Sequence, residues 1–218
     1  MSDKSNKYGY VGVDIPAQSF GANKGVFNPA EINELVADNK WTQFGQLELI
    51  ETQTASGTST LEFKDLPTNY NVLFFTYDDV RASVDGATLH IRLSNDNGSS
   101  FISSSNYDFA HQEGRASGSF FEIKSTTSTN VRLNGNAGNQ SNEKENGYIY
   151  FYNLFDSTKY SFLNYHNSNY NRDPSATFNF GSAVLHIAET HNAIQFYSSG
   201  GGNLDSGTVS LYGIKEYS

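Results

Sequence analysis

This sequence predicts an all-β fold: an antiparallel two-sheet sandwich of jelly-roll type, preceded by an extended N-terminal arm with one short helix. Three observations lead there. The 218 residues include 14 Tyr, 16 Phe and 19 Gly; aromatic residues fit pleated strands, and Gly fits turns. From Gln46 onward the apolar period is two. Leu61 and Phe63 alternate with Glu62 and Lys64, and Leu89, Ile91 and Leu93 alternate with His90 and Arg92, as half-buried strands require. Between such runs fall Asp85-Gly86, Asn97-Gly98, Asn134-Gly135 and Asn146-Gly147, dipeptides preferred in tight hairpin turns.

The first 45 residues form a separate unit, the arm. Residues 8–25 mix Gly, Asn, Gln, Val and one Pro without a sustained period, which suits a segment laid over another surface. A helix is predicted over about 29–38. Asn28 is placed to cap it, Pro29 occupies the first position, and Glu31 meets the favourable end of the helix dipole. Ile32, Leu35 and Val36 make its apolar stripe, and Trp41 and Phe44 are expected to dock the unit.

Residues 46–218 form the sandwich. Beyond the two alternating runs, strands are expected over 47–54, 72–77, 107–111, 120–124, 148–152, 161–165, 183–188, 193–197 and 208–214. Residues 72–77 and 148–152 are apolar or aromatic on both faces, as in strands covered on both sides or facing a partner chain. Residues 114–119 and 135–146 read as long surface loops. No internal repeat is evident, which excludes a propeller or solenoid.

Composition narrows the function. A net charge of -9 with 14 Lys+Arg leaves no basic patch for nucleic-acid phosphates. The longest apolar run, Val72-Leu73-Phe74-Phe75, is far short of a membrane helix, so no membrane insertion is expected. Met1 to Lys7 open no apolar stretch, and no signal peptide is expected. Without cysteine there are no disulfides, thiolate ligands or thiol nucleophiles.

Several constellations could carry chemistry. His186, Glu189 and His191 approach metal-ligand spacing, but a strand sends His186 to the opposite face from the other two, and exposed turn residues are the simpler expectation. Asp78, Asp79 and Asp85 with Arg81 could offer oxygens to calcium; a solvated strand end with a local ion pair accounts for them as well. No Ser, His and acid triad is legible, and no pair of carboxylates stands out for glycoside chemistry. No catalytic, cofactor or metal residue is assigned. Residues 148–171 interleave Tyr148, Tyr150, Tyr152, Tyr160, Tyr165 and Tyr170 with Asn153, Asn164, Asn167, Asn169 and Asn171. Such a stretch serves as core, as a subunit contact, or as a glycan contact, since Tyr faces stack on sugars and Asn amides bond hydroxyls both ways.

Ser94 to Phe101 resembles the Asp-box, S-x-D-x-G-x-[ST]-[WF], which lies on hairpins of sialidases away from their catalytic centre. The resemblance implies that Asp96 caps a structural hairpin. A broader resemblance runs through residues 20–32 (Phe20-Gly21-Ala22-Asn23-Lys24-Gly25-Val26-Phe27-Asn28-Pro29-Ala30-Glu31-Ile32), residues 47–54, the 93–101 hairpin and the closing 207–215 segment. These pieces, in this order, resemble virion structural proteins of tailed bacteriophages, of tail-fibre, receptor-binding and head-decoration type. The resemblance implies a non-enzymatic protein of the virion surface, foremost a tail-fibre or spike component with host-glycan attachment. A head-decoration or cement protein is the alternative, and a polysaccharide-degrading enzyme a more distant one. It also implies contact with other virion proteins through the arm, a homotrimer, and no cofactor.

Overall fold

The computed structural model describes residue 27, residues 29–37 and residues 47–215. They fall in two units, 1–46 and 47–218. In the first, helix α1 spans Pro29–Ala37 with Pro29 leading and Glu31 in the first turn, one residue short of the expected end. The expected cap Asn28, the docking residues Trp41 and Phe44, and most of the arm lie outside the described residues. No helix among the described residues is long and apolar enough to cross a membrane.

The second unit is built from β1 (Leu47–Thr54), β2 (Thr60–Phe63), β3 (Val72–Ala82), β4 (Leu89–Ser94), β5 (Tyr107–Arg115), β6 (Phe120–Ser128), β7 (Val131–Arg132), β8 (Glu145–Tyr152), β9 (Ser161–Asn171), β10 (Ser175–Leu185), β11 (Ala193–Ser198) and β12 (Leu204–Ile214). They make two antiparallel sheets, one of eight strands ordered β1-β12-β3-β8-β9-β10-β5-β6 and one of four ordered β2-β11-β4-β7. Every expected strand is present, that over 183–188 ending at Leu185, and several run further than the sequence suggests; β7, two residues long, shows no period in the sequence. The sheets share one core. Phe75 of the large sheet packs edge-on against Phe63 at 5.4 Å and tilted against Phe196 at 5.6 Å, both from the small sheet. Leu73, Ile91, Leu93, Ile149, Phe151 and Leu211 are fully buried around them.

None of the four hairpin dipeptides joins paired strands. Consecutive described strands pair at β5–β6, β8–β9 and β9–β10. Asp85-Gly86 and Asn97-Gly98 lie instead on connections that pass between sheets, and Asn134-Gly135 follows β7. Asn146-Gly147 sits within β8, where a Cβ on Gly147 would come within 2.5 Å of the Tyr77 hydroxyl. Such dipeptides report tolerance of a tight backbone. In a sandwich, where the next strand often belongs to the other sheet, that does not report who pairs with whom.

Four strands cannot cover eight. Where β8, β9, β10 and β5 extend beyond the small sheet, their inner face is polar: Glu145, Asn167, Asn169, Asn171, Thr177, Asn179, His111 and Glu113 are all buried. Thr177 donates to Asn169 Oδ1 at 2.6 Å and Asn179 to Asn167 Oδ1 at 2.7 Å. The cover is the segment after β7. Asn167 donates to the Leu133 carbonyl at 2.8 Å, Asn134 to Glu145 Oε2 at 2.6 Å, and the Gly138 N–H to the Tyr170 carbonyl at 2.9 Å. The Asn134 side-chain oxygen accepts the Leu89 N–H at 2.7 Å, which ties the cover to the small sheet. The expected surface loop at 135–146 is therefore corrected over its first part, because a backbone without a strand partner can be buried once polar side chains meet its N–H and C=O groups. Gly135 is buried there, and a Cβ would stand 1.6 Å from Glu113 Oε2. The other expected loop, 114–119, is a tight turn joining β5 to β6, in which the Arg115 N–H donates to the Ser119 carbonyl at 2.9 Å.

Burial raises Glu145 from its ordinary 4.5 to about 8, opposed by Tyr77 and Asn134 beside it. The folded chain thus holds a proton that the unfolded chain releases near 4.5. The stabilisation from this group is complete below the unfolded value and is lost as pH rises through the folded one. Calorimetric Tm values of the native chain should fall between about pH 5 and pH 9. Glu145→Gln, which keeps an acceptor for Asn134 and has no proton to lose, should flatten that fall and raise Tm at the alkaline end. An equally steep fall in the variant would remove Glu145 as its source.

Candidate functional site

The outer face of the large sheet is unlike an ordinary solvent face. Along β9 the side chains alternate without a break, Ser161, Leu163, Tyr165, Asn167, Asn169 and Asn171 inward, Phe162, Asn164, His166, Ser168 and Tyr170 outward. The Tyr/Asn stretch of the sequence is thereby divided between two surfaces. Tyr165 and three Asn residues line the interior, while Tyr148, Tyr150, Tyr152 and Asn164 face out.

Register sets the outward groups in rows. Tyr150 of β8, Asn164 of β9 and Ser182 of β10 are direct neighbours, as are Tyr148, His166 and Phe180, and then Asn146, Ser168 and Phe178. One wall is the Tyr148, Tyr150, Tyr152 rail, with adjacent rings 5.8 and 6.3 Å apart and Phe74 of β3 packed behind Tyr150 at 4.7 Å. The other is the Phe178–Phe180 pair, stacked at 6.3 Å with planes 8° apart. Between them runs a floor of Asn164 and His166 of β9, with Ser182 of β10 beside Asn164. The result is an open groove of about 640 Å³, in the size range of ligand sites. None of the described residues lining it is Lys, Arg, Asp or Glu. Flat apolar walls with neutral hydrogen-bonding groups between them can hold an amphipathic ligand; His166 is the one imidazole among the described lining residues.

His186 does not join Glu189 and His191, and the expectation that these are exposed turn residues is corrected at His191, which is fully buried. His186 turns to Asp108 of β5, Nδ1 to Oδ1 at 3.4 Å, while His191 lies buried against Ser161. Among the described residues no three of His, Cys, Asp and Glu could hold a metal ion together. The acidic run also takes another form. Asp78 and Asp79 lie within β3, at an irregularity where Asp79 has φ +54° and its N–H donates to Asn146 Oδ1 at 2.9 Å. Arg81 pairs with Asp205 of β12 at 3.3 Å rather than with its sequence neighbours.

One arrangement invisible to spacing appears in three dimensions. Ser161 Oγ is 2.8 Å from His191 Nδ1, and His191 Nε2 is 3.4 Å from Glu189 Oε1, the residue types of a hydrolytic triad. Ser161 and His191 are wholly buried, so no substrate carbonyl can reach the hydroxyl. Burial also lowers the His191 pKa, against the pull of Glu189. The constellation locks the start of β9 to the segment before β11. The Asp-box-like turn is structural too. Asp96 accepts the Ser100 N–H at 2.9 Å and hydroxyl bonds from Ser94 at 2.7 Å and Ser100 at 2.6 Å; these bonds, those from Ser100 first, lower its pKa to about 2. The turn leads from one sheet to the other rather than closing a hairpin.

No family model, curated protein or solved structure matches this chain.

Ser161→Ala should lower stability by about 1–3 kcal/mol, the usual effect of orphaning a buried partner. For a domain of this size that is about 2–4 °C in Tm per kcal/mol. A fluorophosphonate probe should leave Ser161 of the folded native chain unlabelled, as read by mass spectrometry; labelling there would restore a catalytic role.

Proposed function

We propose that this chain is a non-enzymatic structural subunit on the surface of a tailed-phage virion, a tail-fibre or spike component. In this role it binds other virion proteins through its N-terminal arm, associates as a homotrimer and attaches to a host-surface glycan. The observation that carries the proposal is the order of the strands. With the β5–β6 and β9–β10 hairpins set aside, the remaining eight strands, counted along the chain, lie in the order first, eighth, third, sixth in one sheet and second, seventh, fourth, fifth in the other. That order supports a jelly roll, an architecture of viral capsid and lectin domains. The two hairpins then widen one sheet beyond the other.

The outer face of the large sheet adds support. Its β1 edge exposes Leu47 and Leu49, 47% and 61% accessible, beside Tyr212 and Ile214 of β12 and Val72 and Phe74 of β3. An apolar face continuous from edge to centre suits a subunit that meets neighbours.

Antibody labelling of intact particles tests the location. Label on the tail is the expected result; label on the head would replace the fibre assignment with head decoration, and unlabelled particles would overturn the virion role. Particles assembled with a chain lacking residues 1–45 should lose the label, and normal incorporation would remove the arm from the proposal. Light scattering of the purified chain should give about three times its 24.1 kDa mass. Leu49→Asp should shift that mass towards the monomer, whereas a monomeric native chain would overturn the homotrimer.

A further inference from the structure

We propose that the groove along β9 is a binding site for a neutral oligosaccharide, held edge to edge between the Tyr148–Tyr152 and Phe178–Phe180 walls. This deepens the glycan attachment proposed above and rests on that role. The ligand class follows from what the groove can and cannot accept.

The walls stand on β8 and β10, two strand spacings apart, so their backbones are separated by about 10 Å and the clear width between side chains is less. An α-helix with its side chains is about 10–12 Å across and does not enter. An extended peptide fits, but it gains no main-chain partners there. β8, β9 and β10 are interior strands whose ladders are already paired on both sides, β8 to β3 and β9, β9 to β8 and β10, β10 to β9 and β5. Strand addition needs a free edge. A sugar chain needs neither width nor edge. The C–H-bearing face of a pyranose is apolar and lies against the electron-rich face of an aromatic ring, while its hydroxyls require partners that both donate and accept.

The floor supplies those partners and has not committed them. The Asn164 and Ser182 side chains, and the Tyr148, Tyr150 and Tyr152 hydroxyls, take part in no hydrogen bond with another described residue, and His166 makes only an edge-on ring contact with Tyr148. Amide, hydroxyl and imidazole groups each donate and accept. Carboxylate, ammonium and guanidinium groups are missing from the described lining, so no fixed cation there favours a sulfated or acidic sugar over a neutral one. Length is set by the Tyr rail: four residue steps from Tyr148 to Tyr152 span about 13 Å, room for two or three rings. Phe162, 46% accessible, rises in the floor at the Tyr152 end.

Saturation-transfer NMR on the full chain tests the site. The probes are neutral trisaccharides of glucose, galactose, mannose, rhamnose and N-acetylglucosamine, with sialyllactose and a heparin trisaccharide as charged comparators. At least one neutral probe should show transfer at millimolar concentration, strongest at ring protons. Tyr150→Ala and Phe180→Ala should each weaken that probe about tenfold, equivalent to about 1.4 kcal/mol. Tyr150→Phe should keep most of the binding, and Tyr160→Ala, an exposed tyrosine outside the groove, should change nothing. The three side chains face outward, so unchanged Tm values establish that each variant is folded. Three results overturn the site: no transfer from any neutral probe, preference for the charged comparators, or binding indifferent to Tyr150 and Phe180. A homotrimer that Tyr150→Ala and Phe180→Ala dissociate would also overturn it, by assigning the groove to a second copy of the chain. Tail-labelled particles without sugar binding would defeat the groove alone, and sugar binding by a chain that labels no particle would defeat the virion role alone.

Discussion

An eight-stranded sheet facing a four-stranded one leaves half of its inner surface without an apolar partner, and most of what distinguishes this protein follows from that mismatch. Over the covered half the usual solution holds, with Phe63, Phe75 and Phe196 meeting across the sheets. Over the other half the chain substitutes hydrogen bonds for apolar contact. Asn167, Asn169, Asn171, Asn179, Thr177, Glu113 and Glu145 point inward, and the segment after β7 lays its backbone on them. A polar interior of this kind is useful only where nearly every group is partnered, because a buried unpaired group is more costly than an apolar one. Tyr77 Oη, Glu145 Oε1, Glu113 Oε2 and Asn179 Oδ1 lack well-aligned partners. The protonated state of Glu145 is one way in which the molecule accommodates that.

The same overhang creates the outer surface. Without the two inserted hairpins the large sheet would end at β8, and Tyr148, Tyr150 and Tyr152 would stand on an edge strand. β9 and β10 give the tyrosines a floor and an opposite wall. β9 does both tasks at once, since alternate residues of one strand serve a buried polar lattice and an open amphipathic groove. The period of two makes this division free of conformational conflict.

Constellations with catalytic residue types prove to be fastenings. Ser161 and His191 are sealed from solvent, and Asp96 spends its carboxylate on the turn that follows it. Each sits where the chain changes sheets or begins a long strand, places where loose backbone groups need side-chain partners. The uncommitted groups that line the groove are neutral and lie on the outer face, which is why recognition rather than reaction is the function proposed.

Local pattern was enough for the all-β class, the helix at Pro29 and every strand but β7, because a period of two and a proline-led helix start are local properties of the chain, whereas two residues are too few to show a period. It also marked residues 148–171 as unusual without assigning them to a surface. It did not reveal the far halves of β9 and β10, since Asn, Thr and Ser at buried positions leave no apolar period to detect. Nor did it reveal strand partners. The Asn-Gly and Asp-Gly dipeptides bend the backbone, but whether the next strand pairs or crosses to the other sheet depends on contacts distant in the chain. Which Tyr and Asn face the lattice and which the groove, that Ser161 meets His191, and that the segment after β7 is buried are settled by the fold in three dimensions. Each of those depends on neighbours brought together across sheets, a relation that no local spacing encodes.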